Sequence, residues 1–132
     1  MPPPKPPDRT LIFVNATVKK LLMELPDEVR QEVGHALYLA QLGRKPPSAK
    51  PLTGEPTFKG ASVLEIVEDD DGNTYRAVYT VKYPEAVYVL HVFQKKSTKG
   101  IATPRREVET IKARLAEADR QHTEKFGKRD SA

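Results

Sequence analysis

The chain has 132 residues, a formal net charge of +4 and no cysteine, which fits one domain and excludes disulfides and thiolate metal sites. Its charge is uneven, because residues 1–90 carry 11 Lys and Arg against 12 Asp and Glu, whereas residues 91–132 carry 11 against 6. The basic last third predicts an acidic partner or a nucleic acid.

The first third of the chain predicts a tail, a strand and two helices. Residues 1–9 are rich in proline and form an expected disordered tail. Residues 10–14 (Thr-Leu-Ile-Phe-Val) are typical of a strand, and Asn15 is a good N-cap for the helix that follows. Pro26 ends this helix and begins a second one, which Gly43 is placed to terminate. Residues 44–60 lack periodicity and contain four prolines, which predicts a long loop.

The middle of the chain predicts a three-stranded meander. Residues 62–68 and 74–82 alternate as strands, and the Asp-Gly-Asn segment between them is typical of a hairpin turn. Residues 86–93 are almost entirely apolar, which indicates a central strand covered on both faces. Thr103 and Pro104 predict the cap and first residue of a last helix. From Arg120 onward the chain becomes polar, so residues 120–132 are an expected flexible, charged tail.

This order of elements indicates an α+β fold in which a twisted sheet carries its helices mainly on one face. The domain is expected to span residues 10–119. No apolar stretch is long enough to cross a membrane, and no leader-like segment is seen at the N-terminus, so a cytoplasmic location is expected. The three histidines are far apart in the sequence, which argues against a metal site.

Arg76 stands in the middle of a strand, between apolar neighbours. Such a guanidinium needs a partner, because an unpaired charge there is costly. A salt bridge to Glu65 across the hairpin would be a structural role. A guanidinium held rigidly to grip a phosphate would be a functional one.

His91 and a run of cations follow in the next strand and beyond it. His91 shares a strand face with Phe93 and Lys95, and it is either a satisfied core residue or a group that exchanges protons near neutral pH. The helix dipole disfavours cations at a helix start, so Arg105 and Arg106 indicate an anion arriving from outside. The candidate phosphate-binding cations of this region are Lys95, Lys96, Lys99, Arg105 and Arg106, and Lys82 is a further candidate on the preceding strand.

These segments together resemble the RelE/ParE superfamily of toxins, and within it the phage-related, HigB-like branch. The likeness rests on the Tyr-Arg-x-x-Tyr strand at residues 75–79, the His-x-Phe-x-Lys-Lys strand end at residues 91–96, and the Thr-Pro that opens the last helix. It covers roughly residues 11–118. It implies a small RelE-like domain with a twisted, mainly antiparallel sheet, two N-terminal helices and a C-terminal helix.

The resemblance also implies an activity. Such toxins are endoribonucleases that cut mRNA on the translating ribosome without a metal or cofactor. They are silenced by an antitoxin encoded beside them, expected here to be a helix-turn-helix protein. Arg76 falls on the strand arginine that handles the scissile phosphate, and Lys95 and Lys96 fall near the second cationic position. The proton carrier is His91 or Glu65.

Two departures from the family pattern leave other functions open. The strand that carries Glu65 offers no lysine, and no tyrosine follows Tyr88. One alternative is a non-catalytic ParE-like toxin that binds and inhibits a topoisomerase. Another is a basic protein that only binds nucleic acid.

Overall fold

The computed structural model describes residues 9–95 and 103–127. Over these ranges the chain forms five strands and four helices in the order β1 Thr10–Phe13, α1 Ala16–Met23, α2 Asp27–Gln41, β2 Ala49–Pro51, α3 Pro56–Gly60, β3 Val63–Asp70, β4 Asn73–Thr80, β5 Ala86–Lys95 and α4 Arg105–Phe126. The α+β fold class is confirmed. Segments β2 and α3 lie where the sequence predicted an unstructured loop.

The five strands form one sheet in the order β1-β5-β4-β3-β2. All neighbours are antiparallel except β1 and β5, which run parallel. Helices α1 and α2 connect β1 to β2, which lies at the opposite edge of the sheet. The predicted hairpin is confirmed: Asp71 and Gly72 form a two-residue turn between β3 and β4, and both have positive φ (50° and 80°).

The helices lie on both faces of the sheet, so the expectation that they gather mainly on one face was wrong. Leu64 and Tyr79 face α2, whereas His91 and Tyr88 contact α4 on the opposite face. Residues 86–92 of β5 are therefore buried from both sides, as the unbroken apolar run predicted.

A β-bulge in β5 decides which of its side chains face α4. Val78 pairs with His91 but Tyr79 pairs with Val89, so Leu90 is the extra residue. Since the bulge shifts the alternation by one residue, Tyr88 and His91 lie on the same face although three positions separate them. Both form hydrogen bonds with α4, to His122 and to Glu107 respectively.

Local capping follows the sequence at α1 and departs from it at α4. The side chain of Asn15 accepts a hydrogen bond of 2.9 Å from the backbone N–H of Val18, as predicted. At α4 the N-cap is Pro104 and the first helical residue is Arg105, whereas Thr103 and Pro104 were predicted for these positions. The Thr103 hydroxyl donates to Glu65 instead (3.4 Å), so the side chain that was expected to cap α4 contacts strand β3.

The last helix also extends beyond Arg120, where fraying was predicted. It continues to Phe126, and His122 in this segment is buried against Tyr83 and Tyr88. The prediction of fraying rested on the polar and charged residues after Arg120, and these give no sign of an aromatic contact with distant residues. No helix within residues 9–95 and 103–127 is long and apolar enough to cross a membrane.

Candidate functional site

A buried ion pair joins β3 and β4 on the face that carries α4. Nη1 of Arg76 donates to both oxygens of Glu65, at 2.9 Å each. Their side chains are only 4% and 3% exposed. Arg76 pairs in register with Val67 and Glu65 with Val78, so the two charges meet diagonally across the hairpin. The salt bridge predicted as the structural role of Arg76 is confirmed.

Two further cations surround the same carboxylate. Nζ of Lys50 lies 3.6 Å from Oε1 of Glu65. Lys95 lies on the same face, because it pairs with Thr74 two positions along β4 from Arg76. We call Lys50, Arg76 and Lys95, with Glu65 at their centre, the basic cluster. Three cations against one carboxylate give it a net charge of about +2, so it attracts anions.

The environment of Lys95 weakens its hold on a proton. Burial lowers the pKa of this ammonium, and the charges of Arg76 and Lys50 lower it further, whereas Glu65 acts in the opposite direction. Lys95 therefore gives up its proton more readily than an ordinary lysine does.

Lys50 was missed by sequence reasoning, which placed it in a loop and found no lysine on the strand that carries Glu65. The short strand β2 sets Lys50 directly opposite Glu65 in the antiparallel register. Its side chain is 48% exposed, in contrast to the buried Arg76. Neither Ala49 nor Pro51 favours a strand, so the residues around Lys50 gave no signal that distinguished a three-residue edge strand from a loop.

His91 forms a separate hydrogen-bonded group with α4. Nη1 of Arg114 donates to Nδ1 of His91 (2.7 Å), and Nε2 of His91 lies 2.6 Å from Oε2 of Glu107. A guanidinium only donates, so Nδ1 accepts and the ring proton is on Nε2, which donates to Glu107. Both ring nitrogens are thus engaged. Burial lowers the pKa of His91, and this outweighs the opposing effect of Glu107.

Arg114 was also missed by sequence reasoning. The same Nη1 donates to the backbone carbonyl of Leu90, the extra residue of the bulge, at 3.2 Å. Arg114 therefore holds both the bulge and the histidine that follows it. Arg114 lies three residues after Ile111, on the side of α4 that faces the sheet, and this spacing was the available signal. The bulge that Arg114 contacts cannot be predicted from the sequence.

The remaining predicted cations are not all brought to this place. Lys82 lies two residues beyond the end of β4 that is away from Thr74, and it pairs with Asp119 at 3.1 Å. Arg105 and Arg106 are exposed on the first turn of α4, where they pair with Glu109 (2.8 Å) and Glu107 (3.9 Å). Lys96 and Lys99 lie outside the described residues.

The fold and this basic cluster define a small α+β protein in which one end of the sheet attracts anions. Residues 8–116 match the family model described as "Phage derived protein Gp49-like (DUF891)", and the chain belongs to this family. Among solved structures it is similar to a chain of the toxin-antitoxin complex RelBE2 from Mycobacterium tuberculosis. The identity is 24%, the match covers 70% of this chain and 98% of that one, and the TM-score is 0.42. The sequence has no significant match among curated proteins.

Proposed function

We propose that this protein is the toxin of a toxin-antitoxin module, and that it is an endoribonuclease acting on mRNA at the translating ribosome. The observation that carries the proposal is the basic cluster, in which a strand arginine and two lysines gather on a rigid sheet end. The motif resemblance supports it, since Arg76 and Lys95 occupy the positions expected of RelE-like cations. The partner expected to silence it is an antitoxin encoded by the adjacent reading frame.

The proposed reaction is attack of an RNA 2′-hydroxyl on the adjacent phosphate. The oxygen–phosphorus bond to the 2′ oxygen forms as the bond to the 5′ oxygen breaks. The 2′-hydroxyl proton passes to water and the 5′ oxygen receives a proton, which leaves a cyclic phosphate and a free 5′-hydroxyl. The transition state is dianionic, so well-aimed cations stabilise it, by roughly 3–4 kcal/mol each. Lys50 is half exposed, and it marks the side from which a phosphate would contact the basic cluster.

Proton transfer in this reaction is assigned to Lys95. His91 has both ring nitrogens engaged with Glu107 and Arg114, and Glu65 accepts hydrogen bonds from Arg76. Lys95 has a lowered pKa and lies beside the cations that would hold the phosphate. An ammonium that releases its proton more readily than usual suits proton transfer to the leaving 5′ oxygen, which leaves Lys95 as the neutral amine.

The test is expression of the chain alone, followed by mapping of RNA ends during translation. We expect growth arrest and cleavage for the native chain, and loss of cleavage for Lys95→Ala. Lys19→Ala is the matched control, because Lys19 is an exposed lysine on α1. Unimpaired growth with verified soluble protein would contradict the toxin proposal.

The engaged state of His91 favours a second candidate, a non-catalytic toxin that docks on a topoisomerase as ParE-like proteins do. This candidate predicts growth arrest without new RNA ends, and equal toxicity of the native chain and Lys95→Ala. Cleavage of purified RNA is not the deciding assay, because a ribosome-dependent enzyme is silent on free RNA.

A further inference from the structure

A second basic site lies on the opposite face of the sheet, in a pocket of about 200 Å³ between α2 and the β3–β4 hairpin. Leu64 and Val81 contribute its apolar wall, and Tyr79 also lines it. Three cations line the rest of it, namely Arg9, Arg44 and Lys45. Leu64 pairs with Tyr79 in register, while the next residue, Glu65, points to the face of the basic cluster. The two sites are therefore separated by the sheet.

Among the residues that the structure describes, no carboxylate lines this pocket. None of the ion pairs within residues 9–95 and 103–127 involves Arg9, Arg44 or Lys45. Elsewhere in the molecule, by contrast, Arg30, Lys82 and Arg120 each pair with an acid. Arg44 and Lys45 are exposed and Arg9 is half-buried, so an anion in this pocket is reachable from solvent and would be attracted by all three positive charges.

Tyr79 adds a hydrogen-bond donor to the pocket. This residue is only 1% exposed, and no described residue forms a hydrogen bond with its hydroxyl. The hydroxyl is not fully enclosed, so it reaches the pocket, where a ligand can accept its hydrogen bond. Burial raises the pKa of Tyr79 to about 12, so the hydroxyl keeps its proton over the ordinary pH range and donates it to an anion.

Hydrogen bonds fix the backbone of Arg44 and of Arg9 against the end of α2. The C-terminus of α2 closes in a Schellman arrangement, in which Gly43 N–H donates to Ala40 O (3.0 Å) and Arg44 N–H donates to Leu39 O (2.9 Å). Gly43 supplies the left-handed conformation this requires (φ 81°). The side chain of Gln41 donates to the carbonyl of Arg9 (2.8 Å), which ties the chain before β1 to the same helix end.

We propose that this pocket binds a terminal phosphate group, a phosphomonoester carried by a free nucleotide or by the end of an RNA strand. A phosphomonoester carries about −1.5 to −2 charges at neutral pH and three acceptor oxygens, which suits three cations and a hydroxyl better than a single carboxylate does. The pocket is smaller than the roughly 300–1,000 Å³ of sites that enclose whole ligands, so it holds one end of a molecule. An internal phosphodiester carries less charge and must continue on both sides, which fits such a pocket poorly.

The experiment is a titration of the full chain followed by amide NMR, with inorganic phosphate and adenosine 5′-monophosphate as probes. We expect saturable shifts at Gly43, Arg44 and Tyr79. Arg44→Gln should weaken binding about tenfold or more, and Tyr79→Phe, which removes only the hydroxyl, should weaken it severalfold. Lys19→Gln is the matched control for a change in net charge and should bind as the native chain does.

Two further measurements distinguish RNA from a free nucleotide as the source of the phosphate, and distinguish this proposal from the proposed nuclease function. An oligoribonucleotide with a 5′-phosphate should bind this pocket more tightly than the same strand without it, if the source is RNA; tighter binding of the mononucleotide would identify a free nucleotide. Lys95→Ala should keep the saturable shifts at Gly43, Arg44 and Tyr79 even though it is expected to lose RNA cleavage. The proposal is overturned if phosphate gives no saturable shifts, if Arg44→Gln binds like Lys19→Gln, or if only a glutamate-rich peptide binds.

Discussion

The ion pair between Arg76 and Glu65 predicts an unequal response to removal of its two members. Replacement of Arg76 by alanine leaves the Glu65 carboxylate with Lys50 at 3.6 Å and the Thr103 hydroxyl at 3.4 Å. Replacement of Glu65 by alanine leaves the three cations of the basic cluster together without the carboxylate at their centre. Glu65→Ala should therefore destabilise the domain more than Arg76→Ala.

The magnitudes follow from the burial of the pair. Breaking a buried salt bridge by removing one partner costs about 3–5 kcal/mol. Lys50 is half exposed and compensates for only part of the loss. The free energy of unfolding should therefore decrease in Arg76→Ala by about 3 kcal/mol, near the lower end of this range. Glu65→Ala should fall near the upper end, at about 5 kcal/mol, which is a large part of the stability of an ordinary domain.

The assay is urea unfolding of the native chain, the two single variants and the double variant with both alanines. Because the double variant removes both charges, its loss should be smaller than the sum of the single losses, and the double-mutant cycle measures the coupling. Arg76→Lys separates structure from chemistry: an ammonium keeps the charge beside Glu65 but cannot reproduce the planar fork, so stability should recover more than RNA cleavage does.

Three outcomes would refute this reasoning. Equal and small losses for both alanine variants would show that the pair contributes little. Additive losses in the double variant would show that Arg76 and Glu65 are not coupled. A folded, fully active Arg76→Ala chain would also remove Arg76 from the proposed chemistry.

Three other predictions concern single features. The pKa of His91 is lowered in the folded chain, so the neutral histidine contributes to stability above about pH 6.5, its unfolded pKa, and this contribution is lost as the pH falls below that value. Thermal unfolding from pH 5 to 8 should show the loss of stability in the native chain and a smaller loss in His91→Gln. Asn15→Ala removes the N-cap of α1 and should cost about 1 kcal/mol, whereas the exposed Thr17→Ala should cost much less in the same urea assay. If Lys95 contacts a phosphate, Lys95→Ala should reduce the slope of log affinity for RNA against log salt by up to about one; an unchanged slope would place the RNA elsewhere.

The sequence by itself determined the elements whose signals are local. The cap at Asn15, the end of α2 at Gly43 and the Asp71–Gly72 turn were all predicted correctly, because each depends on the conformational preference or hydrogen-bonding capacity of one or two residues. The apolar run of β5 likewise predicted a strand covered on both faces.

The tertiary structure alone decided which side chains meet. Lys50 joins Glu65 only because a three-residue strand pairs with β3, and no local pattern distinguishes such a strand from a loop. Tyr88 and His91 share a face only because of the bulge at Leu90, which Arg114 holds from a helix more than twenty residues away. The pocket at Tyr79 gathers residues from before β1, after α2 and within β3 and β4. Such sites depend on strand register and on packing between distant segments, and neither of these is fixed by the residues nearby in the chain.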